Sequence, residues 1–113
     1  MERHYSKNFF YGKTLRTILI VGNSDTGKST FAVYLINEAL KNGLRPCIID
    51  ADIGQGDLAP PNAIGGALIY AQITDLRDVN PQFVEFVGST TPTGFEEIII
   101  KAIKKIKRNW NFF

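Results

Sequence analysis

Apolar residues recur along the chain with two different periods. Between Lys28 and Lys41 they fall at three-to-four spacing, at Phe31, Ala32, Leu35, Ile36, Ala39 and Leu40, which predicts a helix with one buried stripe. Gly43 follows as its stop signal. A second helix is predicted from Pro92 to Arg108, with Ile99, Ala102, Ile103, Ile106 and Trp110 on one face and lysines covering the other. Strands read as short apolar runs. Thr17 to Val21 is a β-branched run of the kind that lies buried on both faces of a parallel sheet. Cys47 to Ile49, ending at Asp50, and Phe83 to Val87, closed by Gly88, are two more. The run from Gly65 to Ile73 fits a strand or a helix, because a continuous apolar stretch carries no period. Residues 1–14 mix aromatic and basic side chains without a pattern and read as a lead-in segment. Strands alternating with helices predict an α/β fold of three layers, helices on both sides of a mostly parallel sheet.

Two loops in this frame carry chemistry. The first is Gly22-Asn23-Ser24-Asp25-Thr26-Gly27-Lys28-Ser29, which fits G-x-x-x-x-G-K-[ST] without a departure. With 10 glycines, 8 lysines and 12 serines and threonines in 113 residues, the match arises by chance in about 0.6% of such chains. Its setting, after a predicted strand and opening a predicted helix, is the one a phosphate-binding loop requires. Gly22 and Gly27 let the backbone approach dense negative charge with no side chain in the way. Main-chain N–H groups up to Thr30 then point inward at the positive end of the helix. Lys28 would reach the β- and γ-phosphates, the Ser29 hydroxyl would ligate Mg²⁺, and Thr30 would lie near the α-phosphate.

The second loop, Asp50-Ala51-Asp52-Ile53-Gly54-Gln55, leaves the carboxyl end of a strand, where open α/β sheets bind ligands. Alternate spacing sets Asp50 and Asp52 on one side. Phosphoryl transfer to a hydroxyl needs one carboxylate to hold the metal and another to accept a proton, and these two would divide those roles. A turn cap at Asp50 and a solvated Asp52 are the structural alternatives. Gln55 would orient a water or the metal shell on the substrate side, or have only a structural role.

Composition narrows the class. The length of 113 residues, 44% of them hydrophobic, describes one globular domain. A single cysteine, Cys47, makes no internal disulfide, and no apolar run nears the roughly 20 residues of a membrane span. These features predict a cytoplasmic protein, nuclear in a eukaryotic source, with no membrane partner. The net charge of +2 is unevenly spread: +3 over residues 1–16, −6 over 17–100 and +5 over 101–108. Basic ends around an acidic centre fit a polyanionic partner or a pair of solvated faces.

The run from Gly22 to Thr30, then Pro46, then Asp50-Ala51-Asp52-Ile53-Gly54-Gln55-Gly56, resembles the polynucleotide 5′-hydroxyl kinases, which include the kinase subunit of the pre-mRNA cleavage complex, rRNA-processing kinases and archaeal relatives. Phe86-Val87-Gly88-Ser89-Thr90-Thr91-Pro92-Thr93-Gly94 is similar to a third stretch of that family. The resemblance covers about Leu15 to Lys105. It implies a P-loop NTPase-like fold, ATP and Mg²⁺ as cofactors, and an RNA or DNA 5′-hydroxyl end as the acceptor. It further implies that Lys28 and Ser29 bind ATP and Mg²⁺, that Asp52 is the base, and that Asp50 supports the metal shell. Thr90, Thr91 and Pro92 would approach the substrate. The family's core continues through further strands and a basic lid whose arginines close over the transferring phosphate. A chain ending at Phe113 would therefore be a fragment, a truncated reading frame or one part of an assembly, carrying the N-terminal part of a core, 15–113, without its lid, with its activity as an enzyme left open. A missing C-terminal region or a protein partner would cover the sheet edge and the last helix. Arg77 is the only arginine between Arg45 and Arg108, which leaves no obvious arginine finger. Two alternatives remain open: a non-catalytic ATP-binding or scaffolding module of an RNA-processing complex, and another P-loop NTPase.

Overall fold

The computed structural model describes residues 17–22 and 27–110. In chain order they form α1 (Lys28–Lys41), β1 (Cys47–Asp50), β2 (Ala63–Leu68), a 3₁₀ turn (Leu76–Asp78), β3 (Phe83–Phe86) and α2 (Glu96–Arg108). Helix α1 has the bounds its periodicity predicts. Its end is fixed by Gly43 at φ 73°, with Gly43 N–H bonded to Leu40 and Leu44 N–H to Ala39, the paired bonds that a left-handed residue after a helix allows. Helix α2 starts four residues later than the sequence predicts, because Gly94 takes φ 83° and the N–H of Phe95 closes a turn on Pro92.

The three strands form one sheet in the order β1-β2-β3. Both pairings are antiparallel, Cys47 opposite Leu68 and Gly66 opposite Phe83. The mostly parallel sheet expected from the alternation of elements is therefore not what these residues build. The reason lies in the connections. A parallel neighbour needs a crossover, usually a helix, whereas 51–62 is turn and loop and 69–82 holds only the 3₁₀ turn. The ambiguous run resolves as β2. The expected strand at Thr17–Val21 is also absent from the described sheet: it pairs with no strand there, and Leu19 and Val21 are more than four-fifths exposed. A short run holds strand geometry only with a ladder partner, and this ladder is made by β1, β2 and β3 alone.

Strand alternation sorts the core onto two faces. On one face Ile64, Cys47, Ile49 and Phe83 pack with Ala102, Ile106 and Trp110 of the α2 segment. On the other, Ala67 and Ile48 pack with Ile36, Ala32, Val33 and Leu40 of α1 and with Leu76. A helix thus lies against each side of the sheet. Adjacent glycines in β2 make room for a close neighbour on each face. A Cβ on Gly66 would stand 2.4 Å from Ile106 Cγ2, and one on Gly65 would stand 2.9 Å from Ala59 Cβ on the opposite face. The first lets α2 onto the backbone of the central strand; the second seats the loop that follows β1. Burial also pushes the Cys47 thiol up to about 11, so it stays protonated at neutral pH.

Gly66→Ala tests this packing. Overfilling a close contact costs about 1–3 kcal/mol, and a denaturant titration should show that loss with an unchanged transition slope.

Candidate functional site

Helix α1 opens without a cap of its own. Gly27 stands at the N-cap in the left-handed region, φ 86°, and supplies no side-chain acceptor, and the first turn carries no acid. The positive end of the helix is thus left for an external anion. It faces a cleft of about 380 Å³ lined by Gly27, Lys28, Ser29 and Thr30 on the helix side, Asp52, Gln55 and Asp57 on the loop after β1, and Thr74 to Arg77 opposite.

That loop is folded around one carboxylate. Asp50 Oδ2 accepts the main-chain N–H of Asp57 at 2.8 Å and of Leu58 at 3.1 Å, while Oδ1 accepts the N–H of Asp52 at 3.1 Å. Gly56 has to be bare for this closure, since a Cβ there would lie 2.5 Å from the Asp52 carbonyl oxygen. Asp52 is then pitched over the helix start. Its Oδ1 accepts from Gly54 and Gln55 N–H, and its Oδ2 stands 3.8 Å from Lys28 Nζ. The Ser29 hydroxyl donates to Asp57 Oδ2. Across the cleft, Asp75 Oδ2 takes Arg77 Nη2 at 2.7 Å. The Arg77 side chain, and then its main-chain N–H, hold the Asp75 carboxyl down to about 2.

Of the residues expected from sequence, the structure brings Gly27, Lys28, Ser29, Thr30, Asp52 and Gln55 to one cleft. Asp50 lies behind it, organising the loop. Gly22 is exposed and is not one of the residues that line it. Asn23, Ser24, Asp25 and Thr26 lie outside the described residues. Thr90 and Thr91 do not line the cleft; the Thr90 carbonyl instead abuts Gly54, 2.9 Å from where a Cβ would stand. Three charged groups were not anticipated: Asp57, Asp75 and Arg77. Asp57 was within reach of a sequence argument, since Gly56 precedes it in the same turn. Arg77 arrives by tertiary packing.

Among the described residues, two cations against three carboxylates line the cleft, a surplus of one negative charge. That balance, with Ser29 Oγ beside Asp57, suits a hard divalent cation bound through oxygen donors and through the phosphates of a ligand. Among the described residues no three His, Cys, Asp or Glu side chains gather to hold a metal by themselves.

The P-loop model of the mRNA cleavage and polyadenylation factor CLP1 matches residues 22–112. The chain belongs to the CLP1 P-loop family. A polyribonucleotide 5′-hydroxyl-kinase of Pyrococcus horikoshii is 40% identical over 89 residues, 78% of this chain and 25% of that protein. One from Methanocaldococcus jannaschii is 38% identical over 69% of this chain and 22% of that protein. The polyribonucleotide 5′-hydroxyl-kinase Clp1 of Xenopus tropicalis is 35% identical over 66% of this chain and 18% of its own length. The chain thus spans about a quarter of the length of the archaeal relatives it matches. No solved structure matches it. Family membership agrees with the α/β architecture and with the Gly27-Lys28-Ser29 sequence at the start of α1. Among the described residues no helix is long and apolar enough to cross a membrane.

The division of labour between the paired acids is testable by stability alone. Asp50→Ala orphans three main-chain N–H groups and should destabilise the chain by about 2–3 kcal/mol, whereas Asp52→Ala, on the exposed rim, should cost about 1 kcal/mol or less. Thermal unfolding of the two variants side by side checks the ranking.

Proposed function

We propose that these residues form the nucleotide-phosphate site of an ATP-dependent polynucleotide 5′-hydroxyl kinase, which moves the γ-phosphate of ATP to the 5′-hydroxyl of RNA or DNA. The observation that carries the reading is the meeting of Lys28 and Asp52 across the cleft at the uncapped start of α1, in a chain whose family relatives are named for that activity.

In it, the first-turn amides of α1 and Lys28 take the phosphates. Ser29, with Asp57 beside it, would hold Mg²⁺, which neutralises phosphate charge when bound; Asp50 supports that shell by fixing the loop. Asp52 has one oxygen committed to the Gly54 and Gln55 amides and the other turned to Lys28. When Lys28 engages phosphate, Oδ2 is released to take a proton. The acceptor 5′-oxygen then attacks the γ-phosphorus, the bond to the bridging oxygen breaks, ADP leaves with the electron pair, and the hydroxyl proton passes to Asp52.

Labelled ATP, Mg²⁺ and a 5′-hydroxyl oligonucleotide test the reading in the full-length protein. Lys28→Ala should abolish ATP binding. Asp52→Asn should leave ATP binding intact and lower transfer by about 10²–10⁴-fold, the usual size of a lost general base. Equal loss of ATP binding in both variants would contradict the assignment of Asp52 to proton transfer, and release of free phosphate without a labelled 5′ end would point to an NTPase.

A further inference from the structure

Arg77 stands on the cleft wall facing α1, and nothing in the nucleotide reading above uses it. Its position is unusually well fixed for an exposed side chain. The segment before it is tied to α1 by two hydrogen bonds, Asn37 Nδ2 to the Ile73 carbonyl at 2.8 Å and Ile73 N–H to Asn37 Oδ1 at 2.9 Å. Leu76 is buried against the same helix through the core cluster that includes Ile36. Asp75 then caps the 3₁₀ turn by accepting the Arg77 main-chain N–H at 2.9 Å, and the same carboxylate takes Nε at 3.1 and 3.2 Å and Nη2 at 2.7 Å.

One edge of the guanidinium is therefore occupied and its orientation set. A guanidinium has five N–H donors. Asp75 engages the one on Nε and one on Nη2, so the second Nη2 hydrogen and both on Nη1 are left without a partner among the described residues. The Arg77 side chain is 74% exposed, where an ion pair adds little to folding stability. What the pair does supply is a planar cation held in place, with three donors directed away from its clamp, on the wall of a cleft whose other cation among the described residues is Lys28.

We propose that Arg77 is a phosphate-contacting residue of this site: the edge left by Asp75 grips phosphate oxygens of the bound ligand, on the side of the cleft opposite the start of α1. The inference rests on the cleft being a phosphate site. Two sources present the same chemistry, the phosphates of ATP and the phosphodiester next to the 5′-hydroxyl of the acceptor strand. Paired N–H donors match either one, and a lysine at this position reproduces neither the fork to Asp75 nor the planar grip.

Binding of fluorescent ATP with Mg²⁺, and separately of a labelled 5′-hydroxyl oligoribonucleotide, should be measured for the 113-residue chain and for its Arg77→Gln, Arg77→Lys and Lys28→Ala variants. Gln keeps a donor for Asp75 and removes the charge. Arg77→Gln should weaken one of the two ligands about tenfold, with the unliganded thermal midpoint unchanged, and Arg77→Lys should recover only part of that loss. A loss confined to ATP assigns the grip to the donor phosphates; a loss confined to the oligonucleotide assigns it to the acceptor backbone. The inference is overturned if Arg77→Gln binds both ligands within twofold of the unaltered chain while Lys28→Ala abolishes ATP binding, a result that leaves the phosphate site standing. A matching fall in the unliganded midpoint would overturn it too, by making the effect structural. If the unaltered chain binds neither ligand, the phosphate site itself fails, and Arg77 with it.

Discussion

A carboxylate whose two oxygens are both taken by main-chain amides holds this cleft together. Asp50 ends β1 and draws the N–H groups of Asp52, Asp57 and Leu58 around itself. Unpaired amides at partly buried positions are costly, so the loop has little freedom while Asp50 accepts from all three. Everything on the acidic side follows from that closure. It carries Asp52 toward Lys28 and Asp57 toward Ser29. It also presses Leu58 and Ala59 onto the backbone of β2, where only a glycine at 65 leaves room. Both features of the D-x-D-x-G-Q-G run that attract attention in the sequence thus have separate work: the first carboxylate shapes, the second faces the ligand space.

The basic side is positioned by packing. The stripe of α1 rests on the sheet face made by Ile48 and Ala67, which turns the uncapped N-terminus of the helix toward the carboxyl end of β1. Asn37 then fastens the 73–77 segment to the same helix, so that a single helix sets the distance between its own first turn and the opposite wall. The cleft closes around α1 rather than around the sheet. Among the described residues its charged lining is two cations and three carboxylates, a surplus the proposed divalent cation would offset.

Local signals in the sequence carry α1, β1, β3 and most of α2, because each rests on periodicity or on a stop such as Gly43 that needs no distant partner. The P-loop and the acid pair were legible for the same reason. Strand direction was not. An α/β alternation suggests parallel pairing, but the 51–62 connection contains no crossover helix, and β1 turns straight back as β2. The Gly65-Gly66 pair hid that strand, since small residues in an apolar run show no period; their use, one glycine per face, appears only when a loop and a helix are seen pressing on them. Thr17 to Val21 read as a buried strand from composition alone, and the described sheet offers it no partner. Arg77, dismissed in the sequence as a lone arginine, reaches the cleft through contacts far apart in the chain.

The central claim is that the α1 start, Lys28 and the Asp50-shaped loop together make a phosphate site. The most direct measurement is the thermal unfolding midpoint of the chain with and without Mg·ATP, with adenosine as the control lacking phosphate. A ligand at 100 times its Kd stabilises the native state by about 2.7 kcal/mol, which for a domain of this size raises the midpoint by about 10 °C or more. The account predicts that rise for Mg·ATP and none for adenosine. A midpoint unmoved by saturating Mg·ATP, or moved equally by adenosine, would contradict it.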